Sequence, residues 1–161
     1  MASETTAAAT GQVGVVRRDS MAMKPFAGYN FGDYWQHWLS FERRVRQLPK
    51  IFHVNWFRQD RSGKFMWPGY GENLRVLKWI TDRCGGRVDA RETPIGYLPL
   101  EKDLDGSGLS IEGDVIRQLL SIDTGAWRHE MQEIGKYLDE FGRRIPARLR
   151  DEHTAVSQRL A

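Results

Sequence analysis

The run of apolar residues between positions 127 and 145 constrains the fold of this chain more than any other segment. Its members recur at steps of three or four: Trp127, Met131, Ile134, Leu138, Phe141 and Ile145. Because this spacing places apolar side chains on one face of a helix, it predicts a long amphipathic helix from Asp123 to Ile145. Asp123 or Thr124 is the predicted N-terminal cap. Pro146 ends or kinks the helix.

Further helices are indicated by patterns of the same kind. One pattern is followed by Gly85-Gly86, which marks a helix end, and consists of Leu74, Leu77, Ile80 and Cys84. Cys84 is the single cysteine, so an internal disulfide is excluded, and its place in an apolar pattern predicts a buried, inert thiol. A short helix around Tyr34 to Leu39 and a polar final helix from Leu149 to Leu160 are also expected.

Two short segments are predicted to be strands. Ile51 to Phe57 alternates, with Phe52, Val54 and Trp56 on one side and polar residues on the other, which is the period of a half-buried strand. Val13 to Arg18 is a second candidate. Gly63 marks the turn that follows the first of them.

Composition and motifs narrow the possible functions. The chain has no run of about 18 apolar residues, so no membrane-spanning helix is expected, and Met1 to Gly14 does not resemble a signal peptide. A cytosolic protein is therefore expected. The net charge of +3 and pI near 9.2 leave single-stranded nucleic acid open as a ligand. The sequence contains no Gly-x-x-x-x-Gly-Lys-Ser/Thr loop, no histidine pair at metal-ligand spacing and no acid-base pair outside charged helical segments.

The segment Trp56 to Asn73 has the composition of a site for a planar ligand. Its 18 residues include five aromatics, three glycines and one proline. Aromatic faces offer stacking surface, glycine permits close backbone approach, and the amide of Asn73 can donate and accept hydrogen bonds along a base edge. Ordinary core packing of the aromatic side chains is the alternative.

Three stretches of the sequence resemble the GTP-dependent phosphoenolpyruvate carboxykinases. They read Lys-Pro-Phe-Ala-Gly-Tyr-Asn-Phe at 24–31, Leu-Pro-Lys-Ile-Phe-His-Val-Asn-Trp-Phe-Arg at 48–58 and Trp-Pro-Gly-Tyr-Gly-Glu-Asn at 67–73. The first nine residues and Thr93-Pro94-Ile95-Gly96-Tyr97 support the resemblance, which therefore extends from Met1 to about Tyr97. The residues that follow are compatible with the helical C-terminal end of the family.

The resemblance implies a reaction and a fold. The family decarboxylates oxaloacetate with phosphoryl transfer from GTP, giving phosphoenolpyruvate, GDP and CO₂ with Mn²⁺ and Mg²⁺, and serves gluconeogenesis. The implied fold is the C-terminal part of a mixed α/β (α+β) nucleotide-binding domain, mostly helical with a few strands. The implied divisions of residues 1–161 are a lid loop at 4–14, a guanine-binding segment at 51–84 and a helical end at 111–161.

The resemblance also assigns roles to individual residues. The guanine ring is expected to stack on Phe57, Phe65 and Tyr70, beside Trp56, while Asn73 reads the base edge. Family members usually carry Phe in place of Tyr70, so the ring face is kept but the added hydroxyl needs a partner. The mobile lid, which shields the enolate intermediate from water, corresponds to Glu4, Thr5, Thr6, Ala7, Ala8, Ala9, Thr10 and Gly11. A frayed terminus is the alternative for this segment.

The chain departs from the family mainly in length. Family members are several times longer, and their phosphate loop, metal-binding Lys, His and Asp, and substrate-binding arginines lie upstream of the residues matched here. Met1 aligns with an internal methionine, so we expect a C-terminal fragment that is inactive alone and belongs to a protein that is monomeric at full length. This hypothesis predicts no nucleic-acid or membrane partner.

Two other hypotheses remain open. One is a nucleotide-binding or single-stranded nucleic-acid-binding module that uses the same aromatics without catalysis. The other is a non-functional remnant whose core is exposed.

Overall fold

The structure is a computed structural model, which describes residues 2–4, 16–111 and 113–161. It divides into two compact units: Met1–Leu48 with Arg128–Arg159 and Ala161, and Pro49–Trp127 with Leu160. Within the described residues the chain is mostly helical with two small antiparallel pairs of strands, which agrees with the mostly helical fold with a few strands that the resemblance implies; the pair formed by residues 91–93 and 96–98 was not predicted from the sequence. The strands and α-helices are β1 Ala2–Glu4, β2 Val16–Arg18, α1 Phe31–Ser40, α2 Asn73–Cys84, β3 Arg91–Thr93, β4 Gly96–Leu98, α3 Gly113–Leu119, α4 Thr124–Asp139 and α5 Ala147–Arg159.

The core of the first unit is aromatic. Trp35 of α1 packs edge-on against Phe31 and Phe141, with ring centroids 5.2 and 4.8 Å apart. Asn30 caps α1, because its side-chain Oδ1 accepts the N–H of Gly32 at 2.8 Å. The buried members of this cluster are Phe31, Tyr137, Leu138, Phe141 and Ile145.

The predicted long helix is shorter than its apolar pattern. α4 begins at Thr124, and Asp123 is its cap, since Asp123 Oδ1 accepts the N–H of Ala126 at 2.9 Å. The helix ends at Asp139, not at Ile145, because Gly142 takes a left-handed φ of 60° and a 3₁₀ turn follows. The prediction was therefore right about the start and wrong about the end.

Helix α2 ends at Cys84 before Gly85-Gly86, as predicted, but its thiol is exposed, so the predicted burial of Cys84 was wrong. The buried residue of this helix is Trp79. Because residue 84 lies five positions beyond Trp79, it is rotated by about 140° around the axis from the buried face. Leu74 and Leu77 are exposed for the same reason of helical phase.

The segment Ile51 to Phe57 is not a strand, so that prediction was also wrong. The alternation of burial is nevertheless present, since Phe52, Val54 and Trp56 are half-buried and the residues between them are exposed. No ladder partner pairs with this segment among the described residues, and the chain turns at Trp56 instead of continuing extended. A period of two reports which side chains face inward, whereas a strand also requires a hydrogen-bonded neighbour.

The first strand pair is formed by residues 2–4 and 16–18. β1 pairs antiparallel with β2, Ser3 opposite Arg17, so residues 16–18 of the predicted strand from Val13 are confirmed. The strand at Ala2–Glu4 was not predicted. Thr5 to Gly14, which form most of the predicted lid, lie outside the described residues, and Glu4 lies in β1.

Candidate functional site

The predicted guanine-binding residues lie in the second unit, on a hairpin and the loop that follows it. The hairpin is closed by an antiparallel bridge between Gln59 and Phe65 and by the N–H of Met66, which donates to the carbonyl of Arg58 at 2.9 Å. Phe57 lies two residues before Gln59, so it is the diagonal cross-strand neighbour of Phe65. Their rings meet edge-to-face, with centroids 6.0 Å apart.

Asp60 fixes the turn of this hairpin. Its Oδ1 accepts the N–H and the hydroxyl of Ser62 at 2.8 and 2.7 Å and the N–H of Lys64 at 3.1 Å. The hydroxyl bond from Ser62, followed by the two backbone bonds, holds the pKa of Asp60 below its ordinary value of 3.8. Gly63 supplies the left-handed residue, with φ 83°. The turn at Gly63 was predicted, but the role of Asp60 was not, although an Asp-x-Ser-Gly sequence signals it.

The N-terminal side of the hairpin is held by further hydrogen bonds. Before it, the side chain of Asn55 accepts the N–H of Phe57 at 3.0 Å and turns the chain at Trp56. The guanidinium of Arg58 donates to the carbonyl of Leu119 at 3.1 Å, and so ties the hairpin to the last residue of α3. The placement of the two phenylalanine rings therefore follows from these polar contacts, one of which reaches Leu119.

The aromatic side chains of the segment divide into exposed and buried ones. Phe57, Phe65 and Tyr70 are 72%, 54% and 98% exposed, whereas Trp67 is only 7% exposed and Trp56 is half-buried. Core packing accounts for the burial of Trp67 and of the neighbouring Met66, but the ring faces of Phe57, Phe65 and Tyr70 remain exposed. Phe57 and Phe65 are brought together, while Tyr70 makes no ring contact within the described residues.

The loop from Trp67 to Asn73 is closed by two hydrogen bonds. The indole N–H of Trp67 donates to Oδ1 of Asn73 at 2.9 Å. The backbone N–H of Asn73, the first residue of α2, donates to the carbonyl of Tyr70. Gly69 has φ 81° and Tyr70 has φ 31°, so the tight turn uses two successive left-handed residues. Tyr70 carries the strain of that conformation because it is not glycine.

A salt-bridge network steadies the start of α2. The guanidinium of Arg75 pairs with the carboxylate of Glu72 and donates to the carbonyl of Asp105 at 2.8 Å. The carboxylate of Asp105 lies 3.5 Å from the same guanidinium. Asp105 also accepts two bonds from Ser107, of which the hydroxyl bond is the main cause of its lowered pKa. The start of α2, which carries the Asn73 amide, is thus fixed by the contacts of Arg75 with Glu72 and with Asp105.

The residues that the structure describes contain no group of three or more His, Cys, Asp or Glu side chains that could hold a metal ion. The residues do not fit the Mn²⁺ and Mg²⁺ that the resemblance implies, and we assign those ions to none of them. None of the described helices has the length and hydrophobicity needed to cross a membrane.

Comparison with known proteins identifies the family. Residues 1–159 match the family described as the phosphoenolpyruvate carboxykinase C-terminal P-loop domain. The chain belongs to the GTP-dependent phosphoenolpyruvate carboxykinase family. The predicted mixed α+β class, as part of this C-terminal domain, is confirmed.

Several curated relatives are similar over almost the whole chain. The phosphoenolpyruvate carboxykinase [GTP] of Anaeromyxobacter dehalogenans strain 2CP-C is 51% identical over 160 residues, covering 99% of this chain and 27% of that protein. The proteins of the same name from Chlamydia muridarum and Neocallimastix frontalis are 48% and 51% identical, again over 99% of this chain and 27% of their own lengths. The chain therefore spans about a quarter, 27%, of the length of these relatives.

Proposed function

We propose that this chain recognises the guanine base of GTP and GDP within a GTP-dependent phosphoenolpyruvate carboxykinase. Phe57, Phe65 and Tyr70 stack on the ring, Trp56 lies beside them, and Asn73 reads the base edge. The observation that carries the proposal is the exposure of three aromatic faces in one short segment of a protein from a family whose relatives are named for GTP.

Stacking and hydrogen bonding contribute differently to base recognition. Stacking on an aromatic ring tolerates any base, because every base has a π-face. Hydrogen bonding discriminates, because guanine carries a carbonyl acceptor at position 6 where adenine carries an amino donor. An amide that meets the wrong base leaves a desolvated polar group unpaired, which costs about 1–3 kcal/mol. Asn73 is therefore the residue to which we assign specificity.

We further propose the reaction in which this recognition takes part. The complete enzyme converts oxaloacetate and GTP to phosphoenolpyruvate, GDP and CO₂ in gluconeogenesis, in the cytoplasm and as a monomer. Its lid, at residues 4–14, closes over the enolate formed on decarboxylation and excludes water from it. The sequence has no phosphate loop of the Gly-Lys-Ser/Thr type, so the chain alone is expected to bind nucleotide without turnover.

The test is a calorimetric titration of this chain with GDP and with ADP. Because the two ligands share ribose and phosphates, their difference reports base recognition alone. We expect GDP to bind more tightly, and Asn73→Ala to weaken GDP by roughly 5- to 150-fold, the equivalent of about 1–3 kcal/mol. Equal affinities for GDP and ADP in the unsubstituted chain would refute the assignment of guanine recognition.

The same preparation tests the two other hypotheses. A single-stranded nucleic-acid module would bind oligonucleotides with an affinity that falls steeply as salt rises. A non-functional remnant would show a broad thermal transition and would bind dyes that report exposed apolar surface. We expect neither outcome; either one, found without GDP binding, would replace the carboxykinase proposal.

A further inference from the structure

The orientation of the Asn73 amide is determined by the chemistry of its partner. An indole N–H can donate a hydrogen bond but cannot accept one. The atom of Asn73 that lies 2.9 Å from Trp67 Nε1 must therefore be the acceptor, Oδ1, and not the amide nitrogen. Without such a partner the two ends of the amide are nearly equivalent in shape, and either could face a ligand.

This orientation leaves the donor end of the amide available. Among the described residues, Nδ2 of Asn73 makes no hydrogen bond, while its Oδ1 is engaged. A free N–H₂ group complements an acceptor, such as the carbonyl at position 6 of guanine, and opposes the amino group at that position of adenine. An amide turned the other way would present its oxygen, which pairs with the amino group at position 6 of adenine and opposes the carbonyl at that position of guanine.

We propose that Trp67 is a positioning residue that sets the base preference of the site by locking the Asn73 amide with its donor end toward the ligand. This inference rests on the proposed function and deepens it. Trp67 does not touch the base; it acts through Asn73. The aromatic rings hold any base, and the indole N–H decides which base the amide accepts.

Residues around Trp67 and Asn73 keep the amide in this orientation. Trp67 is buried next to Met66, so its indole has little freedom to follow a turning amide. The turn at Gly69 and the bond from the Asn73 N–H to the Tyr70 carbonyl fix the backbone at the other end. Reversing the amide would leave a buried indole N–H unpaired and facing the amide N–H₂, which is unfavourable. The Asn73 amide is therefore already oriented for one base.

The experiment compares Trp67→Phe with Trp79→Phe by titration with GDP and ADP. Trp67→Phe keeps an aromatic ring but removes the N–H. Trp79→Phe is the matched control, because Trp79 is 4% exposed and its Nε1 has no hydrogen-bond partner among the described residues. We expect the GDP-to-ADP affinity ratio to fall roughly tenfold in Trp67→Phe, the effect of one correctly paired polar group, and to remain unchanged in Trp79→Phe.

Each outcome decides the proposal. If Trp67→Phe weakens GDP and ADP by the same factor, Trp67 is only structural and the inference is overturned. If the unsubstituted chain does not prefer GDP, the proposed function fails first, and this result differs visibly from the loss of preference in one variant.

A second measurement covers the case in which Trp67→Phe does not fold. Hydrogen exchange of the Trp67 indole N–H, followed by NMR, is expected to be slow in the unsubstituted chain and faster in Asn73→Ala, where its acceptor is missing. An exchange rate that Asn73→Ala leaves unchanged would show that the bond is not formed, and would overturn the inference independently of any change at Trp67.

Discussion

Gly32→Ala is the substitution whose effect on stability can be worked most directly from the structure. Gly32 is buried in the first turn of α1. A Cβ added there would lie 2.4 Å from the carbonyl oxygen of Arg144, 2.7 Å from its carbonyl carbon and 2.9 Å from Oδ1 of Asn30. The first two are backbone atoms, so they cannot rotate away. The third is the acceptor that caps the helix.

One favourable and two unfavourable effects determine the size of the change. Alanine gains up to about 1 kcal/mol over glycine in a helix interior, and less in the first turn. Overpacking costs about 1–3 kcal/mol, and weakening the cap costs about 1 kcal/mol more. The net effect is a loss of about 2 kcal/mol, which lowers Tm by about 4–8 °C in a chain of this size. We expect the packing effect to exceed the gain in helix propensity.

Thermal unfolding followed by circular dichroism measures this change, with Gly28→Ala as the control. Gly28 belongs to the same unit, and a Cβ added there meets nothing within 4 Å. Gly28→Ala should therefore leave Tm unchanged or raise it slightly, because alanine restricts the unfolded chain. If Gly32→Ala proved as stable as Gly28→Ala, the close approach of α1 to the turn at Gly142–Arg144 would be wrong.

Three further perturbations follow from individual contacts. Asp123→Ala removes the cap of α4 and should cost about 1 kcal/mol, measured by urea unfolding against Thr124→Ala. Phe65→Ala should weaken GDP by roughly 5- to 150-fold, since one stacking face is worth about 1–3 kcal/mol, yet should hardly change Tm because the ring is more than half exposed. Arg18 holds the pKa of Glu130 below its ordinary value of 4.5, chiefly by a hydrogen bond to the carboxylate. The stability that this pair contributes is complete above pH 4.5 and is lost as the pH falls through the lowered pKa, so the Tm difference between the unsubstituted chain and Arg18→Gln should shrink between pH 6 and pH 3. A difference that grew on acidification would contradict that sign.

The helices could be predicted from the sequence because their signals are local. The start of α4 follows from Asp123, whose side chain caps it, and the end of α2 follows from Gly85-Gly86. The end of α4 could not be predicted from apolar spacing alone. Phe141 and Ile145 continue the pattern because they enter the same core, although the helix has already ended. A periodic pattern of apolar residues reports which side chains are buried, and buried positions can continue beyond the end of the helix.

The strand predicted at Ile51–Phe57 failed for a related reason. Its alternation is real in the burial of the side chains, but pairing depends on a partner elsewhere in the chain. The exposure of Cys84 depends on the phase of α2, which is set by Trp79 and not by the run of leucines. In each case the missing information is a tertiary contact, which propensity and period do not contain.

At the candidate site, too, the sequence does not reveal a tertiary contact, and here the contact decides the orientation of a single side chain. The sequence and the resemblance together name Phe57, Phe65, Tyr70 and Asn73, but they do not say which end of the Asn73 amide is free. That depends on the hydrogen bond from Trp67, a buried side chain placed between two exposed ones. The exposed rings of Phe57, Phe65 and Tyr70 contribute little to folding, so their faces are available to bind a ligand. The buried indole serves both purposes, since it anchors the loop and orients the amide. The proposed base preference is in this way coupled to local stability: loosening the packing around Met66 and Trp67, for instance with Met66→Ala, should reduce the preference for GDP over ADP even though no residue proposed to touch the base has changed.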